Sequence, residues 1–360
     1  MNGGKPTQII VVGPDHHGDW PKDIYLGIKQ AGIGAELIFT NTLVKGTDNN
    51  TDISKRARLE KIKQLFRNYA RPVFNYVKKR RRLMAERSLF DQVNAAHRPG
   101  EKLHVMFMWT PPSIETLKIL KENKDIVLSL WLGEAPIREP LWPATFPHFD
   151  HFIYVDEEWY PILAPDVQKK SAYIPLASTP EKFFPIKPEE KNDKFKCDIA
   201  FVGYYLDERA EVLSVVKDYD LHIYGYRWEN GFEKFPWLKE KWKGPLSNED
   251  ANQAFNGAKI EIGRALSFVK FGHVVTQRVF DISLAGNFQL SGYAPSLEKM
   301  FGDSIPMFND AKELKEKVDY YLAHPEERER LAKKAHEICL REHTYAHRVQ
   351  ELIKVLGITA

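Results

Sequence analysis

Asp281 lies in the apolar face of a helix-like run, Thr276–Phe301, which reads TQRVFDISLAGNFQLSGYAPSLEKMF. A carboxylate in such a face is costly to bury without a partner. Two partners fit: the guanidinium of Arg278, three residues earlier, or the hydroxyl groups of a ligand. A second short helix after the same run carries Glu298. Further chemistry sits at strand ends. His16 and His17 fall in the turn GPDHHG after the apolar run QIIVV, and Glu134 follows IVLSLWL in the loop GEAPIREP. In open α/β sheets ligands bind beyond the carboxyl ends of the strands. His16 and His17 are therefore either site residues or solvated loop residues, and Glu134 either faces a substrate or pairs with Arg138. Asp218 and Asp220 bracket Tyr219 in a turn too short for more than solvation. His343 and His347 are four apart, as zinc ligands on one helix would be. No third ligand stands near them, so they read as structural and no catalytic metal is expected.

These residues need a scaffold, and the chain supplies one repeating step. Val279, Phe280, Ile282, Ser283 and Ala285 suit a buried helix, Gly286 suits its C-terminal stop, and FQLSG follows as a strand. The same alternation runs from the start: Gln8 to Val12, helix Asp23 to Ala31, strand Glu36 to Phe39. Strands are expected at 104–109, 126–132, 151–156, 197–203, 221–225 and 259–263, with helices at 113–122, 208–216 and 247–255. Such an order predicts parallel sheets with helices on both faces. Between Ser178 and Lys196 the sequence turns Pro-rich, charged and aperiodic, as a linker does. Two Rossmann-like domains, 1–177 and 197–340, with a closing helix over 341–360, follow from this pattern, and the cleft between them is the expected site. The chain of 360 residues has the length for two such cores.

Charge is unevenly spread. Between Lys55 and Leu83 stand twelve Lys or Arg and only Glu60 as an acid, although the whole chain carries just +3. Leu59 to Val77 places apolar residues at helical spacing between those cations, with Pro72 interrupting, inside a basic helical insertion over 53–98. This is either a packed helix with a solvated basic face or a surface for phosphates, of lipid headgroups or of a polyanionic acceptor, and the five cations Lys78, Lys79, Arg80, Arg81 and Arg82 in a row favour the second. No apolar run approaches the ~20 residues needed to span a bilayer. The first residues lack the form of a signal peptide, and Cys197 with Cys339 make no disulfide framework. A cytoplasmic protein is expected, peripheral at the inner membrane face if the basic segment binds lipid.

Several stretches resemble glycosyltransferases of the GT-B fold, in particular the CgeB-like (spore-maturation type) group within the group 1 glycosyltransferases. They are YIPLASTPEKFFP, DIAFVGYYLDERAEVL, RVFDISLAGNFQL with SLEKMF, and the closing ELKEKVDYYLAHPEERERLAKKAHEICLREHTYAHRV. Together they span about residues 170 to 350. The resemblance implies a nucleotide sugar, such as a UDP-sugar, held by the second domain, with an acceptor entering across the first. It places Gly203, Arg209, Arg264, Lys270, Arg278, Asp281, Tyr293 and Glu298 on the donor, the basic ones neutralising the diphosphate without a metal or other cofactor. Related retaining enzymes carry two glutamates eight positions apart. Here His273 takes the first position and Asp281 the second, where the ribose hydroxyls are held. Retention is what the resemblance implies; an inverting reaction needs a base, for which Glu134 and His17 stand first, with His16 and His273 as further catalytic candidates. The acceptor expected from the basic segment is a membrane-associated or polyanionic glycan. Modified DNA is the alternative within this class, and a non-catalytic sugar-nucleotide-binding protein is the alternative outside it.

Overall fold

A computed structural model describes residues 8–15, 19–40, 87–265 and 273–358. The chain divides into two compact units, Met1–Gly133 with Leu141–Phe152, and Glu134–Pro140 with Ile153–Ala360. The basic segment 55–83, including Lys78 to Arg82, lies outside the described residues, as do His16, His17 and Lys270. No described helix is long and apolar enough to cross a membrane.

The first sheet holds β1 (Ile9–Gly13), β2 (Ala35–Phe39), β3 (Leu103–Trp109), β4 (Ile126–Leu132), β5 (His151–Tyr154) and β6 (Ser171–Tyr173), in the order β2-β1-β3-β4-β5-β6. Strand β1 pairs in parallel with β2 and β3, and β3 in parallel with β4. Continuous apolar runs such as IIVVG, buried along its whole length, are what a sheet covered on both faces requires. Ser113 caps the helix Ile114–Lys121 by accepting the Thr116 amide at 3.1 Å, as the sequence predicts.

The second sheet holds β7 (Cys197–Val202), β8 (Leu221–Tyr224), β9 (Trp242–Gly244), β10 (Ala258–Arg264), β11 (Gln289–Gly292) and β12 (Met307–Phe308). Its order is β12-β11-β10-β7-β8-β9, every pairing parallel. Ile199, Phe201, Ile223, Ile260, Ile262 and Leu290 bury one core with Leu314, Val318 and Leu331. The strand order reverses between β7 and β10, so the turns leaving these two neighbours diverge to opposite faces. That is where an open α/β sheet forms its ligand crevice.

The helix Gln277–Leu284 connects β10 to β11. Gly286 ends it at φ +70°, with the Gly286 amide bonded to the Ser283 carbonyl and the Asn287 amide to the Ile282 carbonyl. This left-handed stop favours glycine, and the sequence marks it. The helix predicted over 208–216 is shorter, Asp207–Leu213, and tightens into a 3-10 turn over Ser214–Val216.

The aperiodic stretch after Ser178 is fixed by side chains of the helix Asn248–Gly257. Asn252 accepts the Phe184 amide, Asn256 the Ile186 amide and Gln253 the Asn192 amide, at 3.2, 2.8 and 3.0 Å. Backbone without a ladder of its own finds its acceptors there. The last helix, Tyr345–Leu356, is tied down by Arg348, whose Nε donates to the Pro175 carbonyl at 3.0 Å.

Candidate active site

Three arginines gather at the reversal point of the second sheet. Arg209 comes from the helix after β7, Arg264 ends β10, and Arg278 lies in the first turn of Gln277–Leu284. All three are held by backbone carbonyls. Arg209 donates to Tyr204 at 2.8 Å, Arg264 to Tyr293 at 2.7 Å and Arg278 to Gly263 at 2.8 Å. Phe201 is shared, its ring centre 5.7 Å from the Arg209 guanidinium and 4.7 Å from that of Arg278. Tyr204 adds a second ring 4.4 Å from Arg209. Burial is the largest cause pulling all three below their ordinary values; with repulsion from Arg209, and against the charges of Asp156 and Glu158 on Arg264 and of Asp281 and Glu261 on Arg278, Arg264 falls to about 10 and Arg278 to about 9. They remain charged at neutral pH, and Arg209 repels the other two, which suits an anion among them.

Gly203 makes this approach possible. Its amide donates to the Tyr224 carbonyl and its carbonyl accepts the Trp228 indole at 2.8 Å. A Cβ there would stand 2.8 Å from Arg278 Nη2 and 3.0 Å from the Phe201 ring. Gly225 backs it at φ +126°, where a Cβ would fall 1.9 Å from the Gly203 oxygen. Gly225 has no room for a side chain, and at Gly203 one would push against the Arg278 guanidinium.

Near Arg278 lies Glu261 on β10, fully buried, with no hydrogen-bond partner for either carboxyl oxygen among the described residues. Burial raises its pKa well above the ordinary range, and the charge of Arg278 opposes that only in part. Its strand neighbour Gln289 donates to the Val279 carbonyl at 2.8 Å and the Ser283 hydroxyl at 2.9 Å, leaving Gln289 Oε1 likewise unpartnered among the described residues.

A second cluster adjoins Arg264. Asp156, 1% exposed, accepts the Glu158 amide at 3.1 Å and so caps the 3-10 helix Glu157–Ile162. Glu158 Oε2 then takes both the His273 amide at 3.0 Å and the His273 Nδ1 at 2.8 Å. Burial raises the Asp156 pKa, Glu158 adds to the rise, and the charges of His273 and Arg264 oppose it.

Asp281 is tied to a residue the sequence does not point to, and its charge also acts on Arg278. Its Oδ1 receives the Ser178 hydroxyl at 2.6 Å, and Ser178 is in turn bridged to Thr344. Arg278 also donates to Gly263. Tyr293 donates its hydroxyl to Glu298 at 3.2 Å, so those two donor candidates stand side by side. Glu134 pairs with Arg138. His343 and His347 do not share a helix. His343 ends Pro325–Glu342, whereas His347 sits in the first turn of Tyr345–Leu356, where its Nδ1 meets the Thr344 amide and hydroxyl in a capping box. The i,i+4 spacing spans a helix break that the sequence pattern does not reveal. Among the described residues no group of three His, Cys, Asp or Glu is placed to hold a metal ion.

Sequence reasoning missed Asp156 and Glu158. The signal is present in the sequence, since DEE follows a strand end just as Glu134 does. Glu261 carried no such signal: inside KIEIG it reads as an ordinary strand acid.

Residues 208–354 match the family model described as "Glycosyl transferase-like". No curated protein matches the sequence. Among solved structures, a sucrose-phosphate synthase from Thermosynechococcus elongatus is similar at TM-score 0.67 and 11% identity, over 97% of this chain and 98% of the other. A glycosyltransferase from Rickettsia africae is similar at TM-score 0.64 and 12% identity, over 99% and 100%. HepE from Anabaena, in complex with UDP-glucose, is similar at TM-score 0.63 and 8% identity, over 97% and 99%. The fold is thus the two-sheet GT-B arrangement that these proteins share.

Proposed function

We infer that this chain, whose residues 208–354 match the glycosyl transferase-like family model, moves a sugar from a UDP-sugar to an acceptor hydroxyl without a protein-bound metal. The observation that carries this reading is the convergence of Arg209, Arg264 and Arg278 at the strand-order reversal of the second sheet. The charge of Arg209 acts against both Arg264 and Arg278, and a diphosphate among the three relieves that repulsion. When the bond to the sugar breaks, negative charge grows on the departing phosphate. Guanidiniums already fixed by carbonyl bonds meet that charge with little reorganisation, which is the oxyanion-hole form of catalysis. UDP as the nucleotide is supported by the UDP-glucose complex of Anabaena HepE. Asp281, on the same helix as Arg278, is proposed for the ribose hydroxyls, its carboxylate steadied by Ser178.

For the acceptor, the density of cations between Lys55 and Leu83 supports an anionic or membrane-associated hydroxyl compound. Duplex DNA would meet the same charges, and the salt-dependent binding test in the Discussion separates the two.

The reading is tested with pure full-length protein and radiolabelled UDP-sugars, scoring transfer to added glycolipid or release of free sugar. Turnover of at least one donor is expected. UDP binding with no turnover of any donor would leave a sugar-nucleotide-binding protein and remove the enzyme.

A further inference from the structure

We propose that Glu261 is a positioning residue of the donor seat: as a neutral carboxylic acid it donates a hydrogen bond to Gln289 Oε1, and through Gln289 it fixes the helix turns that carry Arg278 and Asp281. This rests on the second sheet holding a nucleotide sugar, as inferred above.

Glu261 on β10 and Gln289 on β11 are paired in the parallel register, so both side chains leave the same face of the sheet. Both are buried. Gln289 Nε2 donates to the Val279 carbonyl at 2.8 Å and to the Ser283 hydroxyl at 2.9 Å, and that hydroxyl donates to the same carbonyl. The Val279 carbonyl only accepts, so turning the amide over would set two acceptors against each other. Gln289 Oε1 therefore faces β10, where a Cβ on Gly263, two positions along from Glu261, would overlap it. Among the described residues neither this oxygen nor either carboxyl oxygen of Glu261 has a partner. Three buried acceptors on two paired residues lack a donor, and a proton on Glu261 supplies one.

The titratable groups around Glu261 fit this assignment. The helix Gln277–Leu284 contributes Arg278, β7 contributes Cys197 and β8 contributes Tyr224, and the helix Asn248–Gly257 contributes Asp250, which acts on Tyr224. Burial outweighs the charge of Arg278 and favours the neutral acid. Val279 follows Arg278 directly, and Val279 and Ser283 bracket Asp281, so the Gln289 amide pins the part of the helix that serves the donor. Arg278 donates back to the Gly263 carbonyl and closes the link to β10. Ionised, Glu261 would set a carboxylate against the Gln289 oxygen and a negative charge near Arg278. The helix would lose that hold, and the seat part of its attraction for a diphosphate.

The test uses full-length protein, with calorimetry to measure UDP binding and infrared spectra to read the carboxyl. At neutral pH the native protein should show the C=O stretch of a protonated carboxyl that Glu261→Gln lacks. Glu261→Gln still offers an N–H to the same oxygen and should rescue UDP affinity. Glu261→Leu offers none and should bind UDP about two- to tenfold more weakly, the worth of one hydrogen bond, with thermal melts checking that the fold is kept. As pH rises, loss of the carboxyl band and loss of UDP affinity should share one midpoint in the native protein, and Glu261→Gln should keep its affinity through that midpoint. A merely structural Glu261 would move the melts and leave UDP affinity alone. No such band at neutral pH, full UDP affinity in folded Glu261→Leu, or a band that titrates with affinity unchanged would overturn the inference and leave the donor reading standing. If Glu261→Leu does not fold, the band and the shared midpoint decide. Failure of UDP to bind the native protein at any pH would remove the donor reading and the positioning role with it.

Discussion

Ser178 donates its hydroxyl to Asp281 Oδ1 at 2.6 Å, joining two residues 103 positions apart. Both are buried, and the Ser178 backbone bonds onward to Tyr345 at the head of the last helix. Asp281 is therefore a tertiary anchor whatever it does for a ligand. Asp281→Ala should cost about 1–3 kcal/mol by stranding a buried hydroxyl. Asp281→Asn keeps an acceptor for Ser178 and should cost less. Urea melts of both variants check the order. A drop in UDP affinity in Asp281→Asn, whose fold is kept, would assign the carboxylate to the ligand as well.

Replacing Arg209, Arg264 or Arg278 singly by Gln should weaken UDP binding about ten- to a hundred-fold, since hydrogen bonds to charged groups contribute about 1.5–3 kcal/mol each. Calorimetry at two salt concentrations gives the readout. Equal affinity in all three variants would place the diphosphate elsewhere.

Gly203→Ala and Gly225→Ala separate crowding from strain. At Gly203 the added methyl displaces the Arg278 guanidinium, a flexible group, so UDP binding should fall with little change in Tm. At Gly225 it meets the Gly203 backbone in a left-handed conformation, so Tm itself should fall, by several degrees for a cost of about 1–3 kcal/mol.

Glu261 makes stability depend on pH. Its folded pKa is raised by burial, so the folded state binds more protons than the unfolded chain above the ordinary carboxyl range. That contribution is complete below the unfolded value and is lost as pH rises towards the folded one. Glu261→Gln should raise Tm at pH 8 and change it little at pH 4. A constant difference at both values would show that the carboxyl is already ionised in the fold.

Neutralising Lys78, Lys79, Arg80, Arg81 and Arg82 to Gln should abolish salt-sensitive binding to vesicles containing anionic lipid, with UDP affinity kept. Sedimentation with vesicles and a filter assay with duplex DNA report the two partners. Salt-sensitive binding to DNA alone would move the acceptor to nucleic acid.

The sequence by itself determined the alternation of strands and helices, because burial on both sheet faces and helical periodicity leave local marks. IVLSLWL matched its strand residue for residue, and Ser113, Ser247 and Gly286 marked helix ends through hydrogen bonds and a backbone angle that only a few residue types provide. It also named Gly203, Arg209, Arg264 and Arg278, through family-like motifs rather than through spacing. Tertiary structure alone decided what they face. The reversal of strand order between β7 and β10 brings Arg209 and Arg264 together across 55 positions, and no local pattern encodes a strand order. The same holds for Glu158 against His273 and Ser178 against Asp281, pairs made by side chains far apart in sequence. Long-range polar partners follow from chain path, and burial makes them costly to omit only once that path is set.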